Sequence, residues 1–227
     1  MGLETVKQAF ECAKNQREKA IREMYAFQVN FTNQEFKDLF LLRAELAMIE
    51  HRTPGQFTVD DDNRDALSML YYYASRTHTE LINPNIGIIM AGKYGCGKSI
   101  VMSGFCKVLS DLGIVDQKIE EVHAIALSEM IKADGILPWA LKPLLIQDMG
   151  TEEPVINAYG TKINPIGNLL AVRAEYGSLT FGSTNKKWSS LNDHYSEYVG
   201  TRAKEHVNFI HMKGGSRRKD FRNPEIL

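Results

Sequence analysis

The sequence predicts an α/β fold, helices sandwiching a five-stranded parallel sheet with a phosphate-binding loop at its centre. Three observations carry this expectation. Short apolar runs alternate with amphipathic helical stretches along the chain. The segment Gly92-Lys93-Tyr94-Gly95-Cys96-Gly97-Lys98-Ser99 has the G-x-x-x-x-G-K-[ST] spacing of a Walker A loop. Its flanks are of the right kind: Ile86, Ile88, Ile89 and Met90 precede it as a buried strand would, and Val101, Phe105, Val108 and Leu112 follow on one face of a helix that stops at Gly113.

Strand, glycine-rich turn and helix, in that order, give the pattern a mechanism. Glycines let backbone N–H groups curl around phosphate oxygens at a helix N-terminus, where the dipole favours negative charge. Lys98 is placed to reach the β- and γ-phosphates and the Ser99 hydroxyl to sit on Mg²⁺. The expected ligand is a nucleoside triphosphate.

Residues 1 to about 50 read as helical, with Val6, Phe10, Ile21, Met24 and Phe27 as an intermittent apolar face. Thr32 and Glu35 make a capping box, and Phe31 and Phe36 occupy the positions of a hydrophobic staple. The helix they start is expected to bury Phe36, Leu39, Phe40, Leu42, Leu46 and Ile49 and to end near Pro54-Gly55, a candidate boundary. Such a helix either packs on the following domain or docks a partner. Asp60, Asp61 and Asp62 suit a helix start, with Leu67, Leu70, Tyr71 and Ala74 turned inward. Beyond the loop, Val122, Ala124 and Ala126 suggest a second strand, Leu127 to Ala133 a short helix, and Leu144 to Ile146 a third strand ending at Gln147-Asp148. Asn164 caps a helix with Pro165 at its first position. Leu179 to Phe181 form a fourth strand running to Asn185, a polar helical stretch spans about Ser190 to Glu205, and Val207 to Met212 form the fifth strand.

A chain of 227 residues holds one substantial core. Its formal net charge of −1 gives no global attraction to nucleic acid, so such contact needs a local patch. Cys12, Cys96 and Cys106 have no metal-ligand spacing and suit a reducing, cytoplasmic setting. Neither a signal-peptide pattern nor a membrane-length apolar run is present.

Beyond the loop, Asp148 stands where strand ends collect ligand groups, and a carboxylate there holds Mg²⁺ or orients the attacking water. Glu152 and Glu153 read more simply as an acidic turn. Asn185, at the next strand tip, is either a turn residue or a contact to the γ-phosphate or the water. Arg202, Arg217, Arg218 and Lys219 are solvated charges on the bland reading; on the sharp one they include an arginine finger for a neighbouring subunit and a phosphate-reading arginine.

Taken in order, Walker A at 92–99, LLIQDMGTEEP at 144–154, GSTN at 182–185, GTR at 200–202 and KGGSRRK at 213–219 resemble the AAA+ ATPases of the DnaC/DnaI/IstB type over about residues 58–222. The resemblance implies a helical N-terminal extension at 1–55 that grips a partner and an AAA+ ATPase domain at 56–227 without a large C-terminal lid. It implies ATP and Mg²⁺ as cofactors, ATP-dependent homo-oligomers with nucleotide at the seams, and a hexameric replicative helicase and single-stranded DNA as partners. Carried over by position, Gly92 to Ser99 bind phosphate and Mg²⁺, Asn185 is the first sensor, and Arg218, with Arg217 beside it, matches the late sensor arginine. Arg202 is the nominated finger, because the family's second arginine position holds His206. Gln147 replaces the Mg²⁺-side acid while Asp148 keeps the water-polarising position, which points to slow hydrolysis. A helicase loader, an IstB-like transposition helper that binds duplex DNA and a transposase, and a nucleotide-binding adaptor with little hydrolysis all share this core.

Overall fold

The computed structural model describes residues 11–18, 30–53, 55–115, 117–158, 161–196 and 205–217. Residues 11–18 are helical (α1), followed by α2 (Asn33–Glu50) and α3 (Arg64–Ala74). The chain then alternates: β1 (Gly87–Ala91), α4 (Lys98–Asp111), β2 (Glu120–His123), α5 (Ala124–Asp134), the short α6 (Leu137–Ala140) and β3 (Leu144–Met149). A hairpin of β4 (Ile156–Ala158) and β5 (Thr161–Ile163) precedes α7 (Pro165–Glu175), β6 (Thr180–Thr184), α8 (Trp188–Tyr195) and β7 (Val207–His211). Val6, Phe10, Ile21, Met24 and Phe27 lie outside the described residues.

Five strands form one parallel sheet in the order β2-β3-β6-β1-β7. Alternation along each strand sends side chains to opposite faces. Ile88 and Met90 of β1 join the cluster under α2, α3 and α4, whereas Ile89 joins the one under α5 and α7. Likewise Leu145 faces the first cluster and Leu144 and Ile146 the second. Both faces are therefore covered, as a parallel sheet requires. Because β1 leads through α4 to the far edge and the chain returns through β3 and β6, the loops after β1, β3 and β6 open at the same end of the sheet, where ligands collect in such folds.

The start of α2 has its capping box: Thr32 Oγ1 accepts from Glu35 N at 3.2 Å, and Glu35 Oε2 accepts from Thr32 N at 2.7 Å. Such a cap is worth about 1 kcal/mol. Phe31 and Phe36 stack with centroids 6.0 Å apart. The buried face of α2, however, is Phe36, Phe40, Ala44 and Ala47, while Leu42, Leu46 and Ile49 are exposed. Small residues win the inner face because α2 crosses α4 at Gly104, where an added Cβ would lie 2.9 Å from Ala44 Cα. Arg43–Asp111 and Lys107–Glu50 ion pairs flank that crossing. Helix α2 thus shares its core with the α/β unit.

The second strand also needs correction, and one element is new. Ala124 and Ala126 are helical: β2 stops at His123, whose Nδ1 caps α5 by accepting from Ile125 N at 3.3 Å. The β4–β5 hairpin has no counterpart in the sequence reading, since a ribbon of three-residue strands is too short for periodicity to register. Helix α7 begins as expected, with Asn164 Oδ1 accepting from Gly167 N at 2.8 Å. The polar stretch from Ser190 is helical to Tyr195; residues 197–204 lie outside the described set.

Candidate nucleotide site

The loop after β1 is pinned to both neighbouring strands where it leaves the sheet. Gly92 N donates to Thr184 O of β6 at 3.2 Å, and Met212 N, just past β7, donates to Ala91 O at 2.7 Å. Gly95 and Gly97 have φ of +77° and +104°, a region that residues with a Cβ adopt only with strain. Gly97 is the N-cap of α4 and offers no side-chain acceptor, so the first turn of α4 meets an anion with backbone N–H groups alone. Cys96 is buried beneath the turn, and Tyr94 stands out from it.

Lys98 is buried. Its Nζ donates to Lys93 O at 2.8 Å and to Asn185 Oδ1 at 2.7 Å. Both are neutral oxygens, and a phosphate in their place gains a charge-assisted bond. The loop, Lys98 and Asn185 are therefore brought to one point. Asp148 stands at the end of β3, φ +55°, its carboxylate 3.3 Å from His123 Nε2 and partly exposed. Its neighbour Gln147 is buried and fully engaged: Nε2 donates to Ser99 O at 3.2 Å and to Glu121 Oε1 at 2.8 Å, and Oε1 accepts from Ser183 Oγ at 2.6 Å. Glu121 Oε2 accepts in turn from Ser103 Oγ at 2.6 Å. Toward Ser99, then, β3 presents an amide donor where a carboxylate would greet a hydrated cation.

Among the described residues, no group of three His, Cys, Asp or Glu side chains is arranged to hold a metal ion. The Ser99 hydroxyl, in the first turn of α4, and Asp148, at the end of β3, are the residues that would hold Mg²⁺ arriving with the phosphates, an ion that usually keeps several waters. Bound there, the ion would supply charge neutralisation at the phosphate oxygens.

Arg217 lies against the same loop. Its N–H donates to Gly95 O at 2.9 Å, its Nε to Cys96 O at 3.1 Å, and its two terminal nitrogens to Asp60 at 2.7 and 2.8 Å. Hydrogen bonding to Arg217 holds the Asp60 carboxyl below its ordinary pKa, and the same pair raises that of the guanidinium. Lys213 bonds Asp65 at 2.7 Å, and a Cβ on Gly95 would meet Ser216. The segment 212–217 is thereby laid across the loop and fastened to the acidic start of α3. Arg202 and Arg218 lie outside the described residues.

Nothing in the sequence marks Glu121, His123 or Ser183 as site residues, and Asp60 reads there only as part of an acidic helix start. Only strand order brings β2 beside β3, pairing His123 with Gln147. The alternation of Glu121 and His123 about Val122 on an edge strand is the one local signal.

No family model and no curated protein matches the chain. Solved structures do. A crystal structure of the DnaC helicase loader matches with a TM-score of 0.55 at 16% identity, covering 69% of this chain and 93% of that one. A crystal structure of DnaI matches with a TM-score of 0.52 at 17% identity, covering 87% of this chain and 100% of that one. At such identities the likeness speaks for the fold: the chain is built on the α/β P-loop architecture that DnaC and DnaI share.

Proposed function

We propose that this chain is an ATP-binding AAA+ protein of DNA replication that acts as a helicase loader, assembling through ATP at subunit seams and hydrolysing it slowly. One observation carries the reading. The turn between β1 and α4 gathers the uncapped N-terminal turn of α4, Lys98 and Asn185 at a single point, an arrangement that suits a polyphosphate. The fold likeness to a helicase loader gives the direction of the role.

In this reading Gly92, Lys93, Tyr94, Gly95, Cys96, Gly97 and Lys98 wrap the phosphates, and Ser99 and Asp148 attend the nucleotide's Mg²⁺. Asp148 also orients the attacking water, Asn185 contacts it or the γ-phosphate, and Arg202 reaches in from a neighbouring copy. Arg217 and Arg218 form the late arginine pair; Arg217, held by Asp60, braces the loop from outside. Residues 1–55 dock a hexameric replicative helicase, and the assembled ATPase domains at 56–227 engage single-stranded DNA in the cytoplasm.

Light scattering with and without ATP and Mg²⁺, beside pull-downs of the helicase, tests this. ATP-dependent growth in mass, absent in Lys98→Ala and reduced in Arg202→Ala, is expected. Unchanged mass together with no helicase recovered under either condition refutes it. The engaged amide of Gln147 favours a second reading, a nucleotide-binding adaptor with negligible turnover. Lys98-dependent ATP hydrolysis excludes that one.

A further inference from the structure

The geometry points to Glu152, His194 and Tyr195 as positioning residues for Asp148, a buried lock beneath the turn that carries it; the inference rests on the ATPase reading above. The turn needs holding. Strand β3 loses register with β6 between Ile146 and Met149, and Asp148 adopts φ +55°, a left-handed conformation in a residue with a Cβ. Such a residue persists only where its surroundings over-determine it. On the near side, Asp148 N donates to Ser183 Oγ at 3.0 Å, and Thr151 bonds Asp148 O through its N–H and its hydroxyl at 3.2 and 2.8 Å.

Below, the grip is different in kind. Gly150 N is shared between Glu152 Oε2 at 2.9 Å and Tyr195 Oη at 3.0 Å. The Glu152 side chain is only 2% exposed, and its Oε1 stands 3.3 Å from Nε2 of His194, itself 11% exposed. Neither atom has a well-aligned hydrogen-bond partner among the described residues, so each depends on the other. The Tyr195 hydroxyl bonds Glu152 too, and with burial this holds its pKa well above that of a free phenol. It stays protonated and able to donate. Asn164 Nδ2 donates to His194 O at 3.3 Å and ties the end of α8 to the cap of α7.

A carboxylate taken this far from water is unfavourable until its partners compensate, and an apolar residue of the same volume would pack more readily. What the polar set adds is direction: it fixes the Gly150 amide, two residues from Asp148, against the last two residues of α8. An acidic turn after a core strand, the plain sequence reading of Glu152, does not explain a side chain that points inward. The lock serves Asp148: its contacts reach the β3 turn and α8, whereas Lys98 Nζ donates within its own loop, to Lys93 O, and to Asn185 Oδ1.

Hydrogen exchange over 147–153 and 92–99, ATP turnover, and affinity for a fluorescent ATP analogue are to be measured on the full chain and on Glu152→Ala, Glu152→Gln and Tyr195→Phe. Exchange over 147–153 is expected to rise about tenfold in Glu152→Ala and Tyr195→Phe, as one lost hydrogen bond allows, with 92–99 unchanged. Turnover should fall roughly tenfold or more while analogue affinity stays within about twofold, and Glu152→Gln, which keeps an acceptor, should recover much of both. Unchanged exchange in the two stronger variants, or turnover and affinity falling together, overturns the lock. Wild-type turnover that survives Lys98→Ala overturns the ATPase reading instead and removes the lock's catalytic role; the exchange result still decides whether it holds the turn.

Discussion

The two ends of the sheet spend their polar groups in opposite ways. At the amino ends of the strands, Arg173 is buried with every branch committed: Nε to Thr180 Oγ1 at 2.9 Å, and the terminal nitrogens to the carbonyls of Trp139, Lys142 and Leu179 at 2.5, 2.8 and 2.6 Å. Burial lowers its pKa to about 10, which still leaves it charged at neutral pH. Asn208 there closes a ring with Asn83 and Gly87 O at 2.8 to 2.9 Å. A guanidinium with every branch bonded at once has no partner to give up, so that end is a fixture. At the carboxyl ends, Lys98 rests on a loop carbonyl and an amide oxygen that a phosphate can outbid, beside left-handed turns at Gly95, Gly97 and Asp148. A buried cation is thus structural or functional according to whether its partners can be exchanged, and burial alone does not tell which.

That contrast can be broken most forcefully at Arg173. Arg173→Met removes the donors to Thr180 Oγ1 and to the carbonyls of Trp139, Lys142 and Leu179, of which Leu179 O keeps Leu144 N at 3.2 Å, and is expected to cost about 3 kcal/mol or more in urea unfolding, with nucleotide affinity of the folded fraction unchanged. A loss of affinity matched to an intact unfolding curve would reverse the assignment. Lys98→Ala should do the converse: a drop in ATP turnover of roughly 100-fold, with a midpoint of unfolding near that of the parent chain. Gln147→Asp sharpens the comparison within the functional end. It puts a carboxylate toward Ser99 and on the side of Glu121, which Gln147 Nε2 bonds at 2.8 Å, so the Mg²⁺ concentration for half-maximal turnover should shift several-fold, read from a metal titration.

The smallest effect belongs to Asp60. Its pKa is depressed in the fold, so the Arg217 contact contributes fully above the ordinary carboxylate range near pH 4 and is lost as pH falls through the lower folded value. The pair is substantially exposed, and its worth should stay below about 1 kcal/mol. Unfolding measured at pH 7 and pH 3 should show Asp60→Asn converging with the parent at the acid end only.

Much of this fold is legible in the sequence because its strands are buried on both faces and read as unbroken apolar runs. Ile88 to Met90, Leu144 to Ile146 and Val207 onward each fall on an observed strand. The capping signals at Thr32 and Asn164 are local chemistry and appear where expected. Failures came where a tertiary neighbour decided the matter. Leu42 and Ile49 look like core by spacing, but Gly104 admits only small residues opposite it. Ala126 reads as strand by alternation until His123 turns out to be a cap. In the candidate site, the glycine-rich loop is contiguous and therefore visible. Glu121, His123 and Asp60 reach it only through strand order and chain return, at separations that no motif spans.

The crossing of α2 over α4 has one more consequence. Ala44 sits on the spine of the helix whose first turn forms the phosphate cradle, with no side chain between to absorb movement. Two backbones in direct contact behave as one lever, since close-packed interiors pass strain on instead of damping it. A pull on α2 is therefore expected to reach, through a single glycine, the mouth of the candidate nucleotide site.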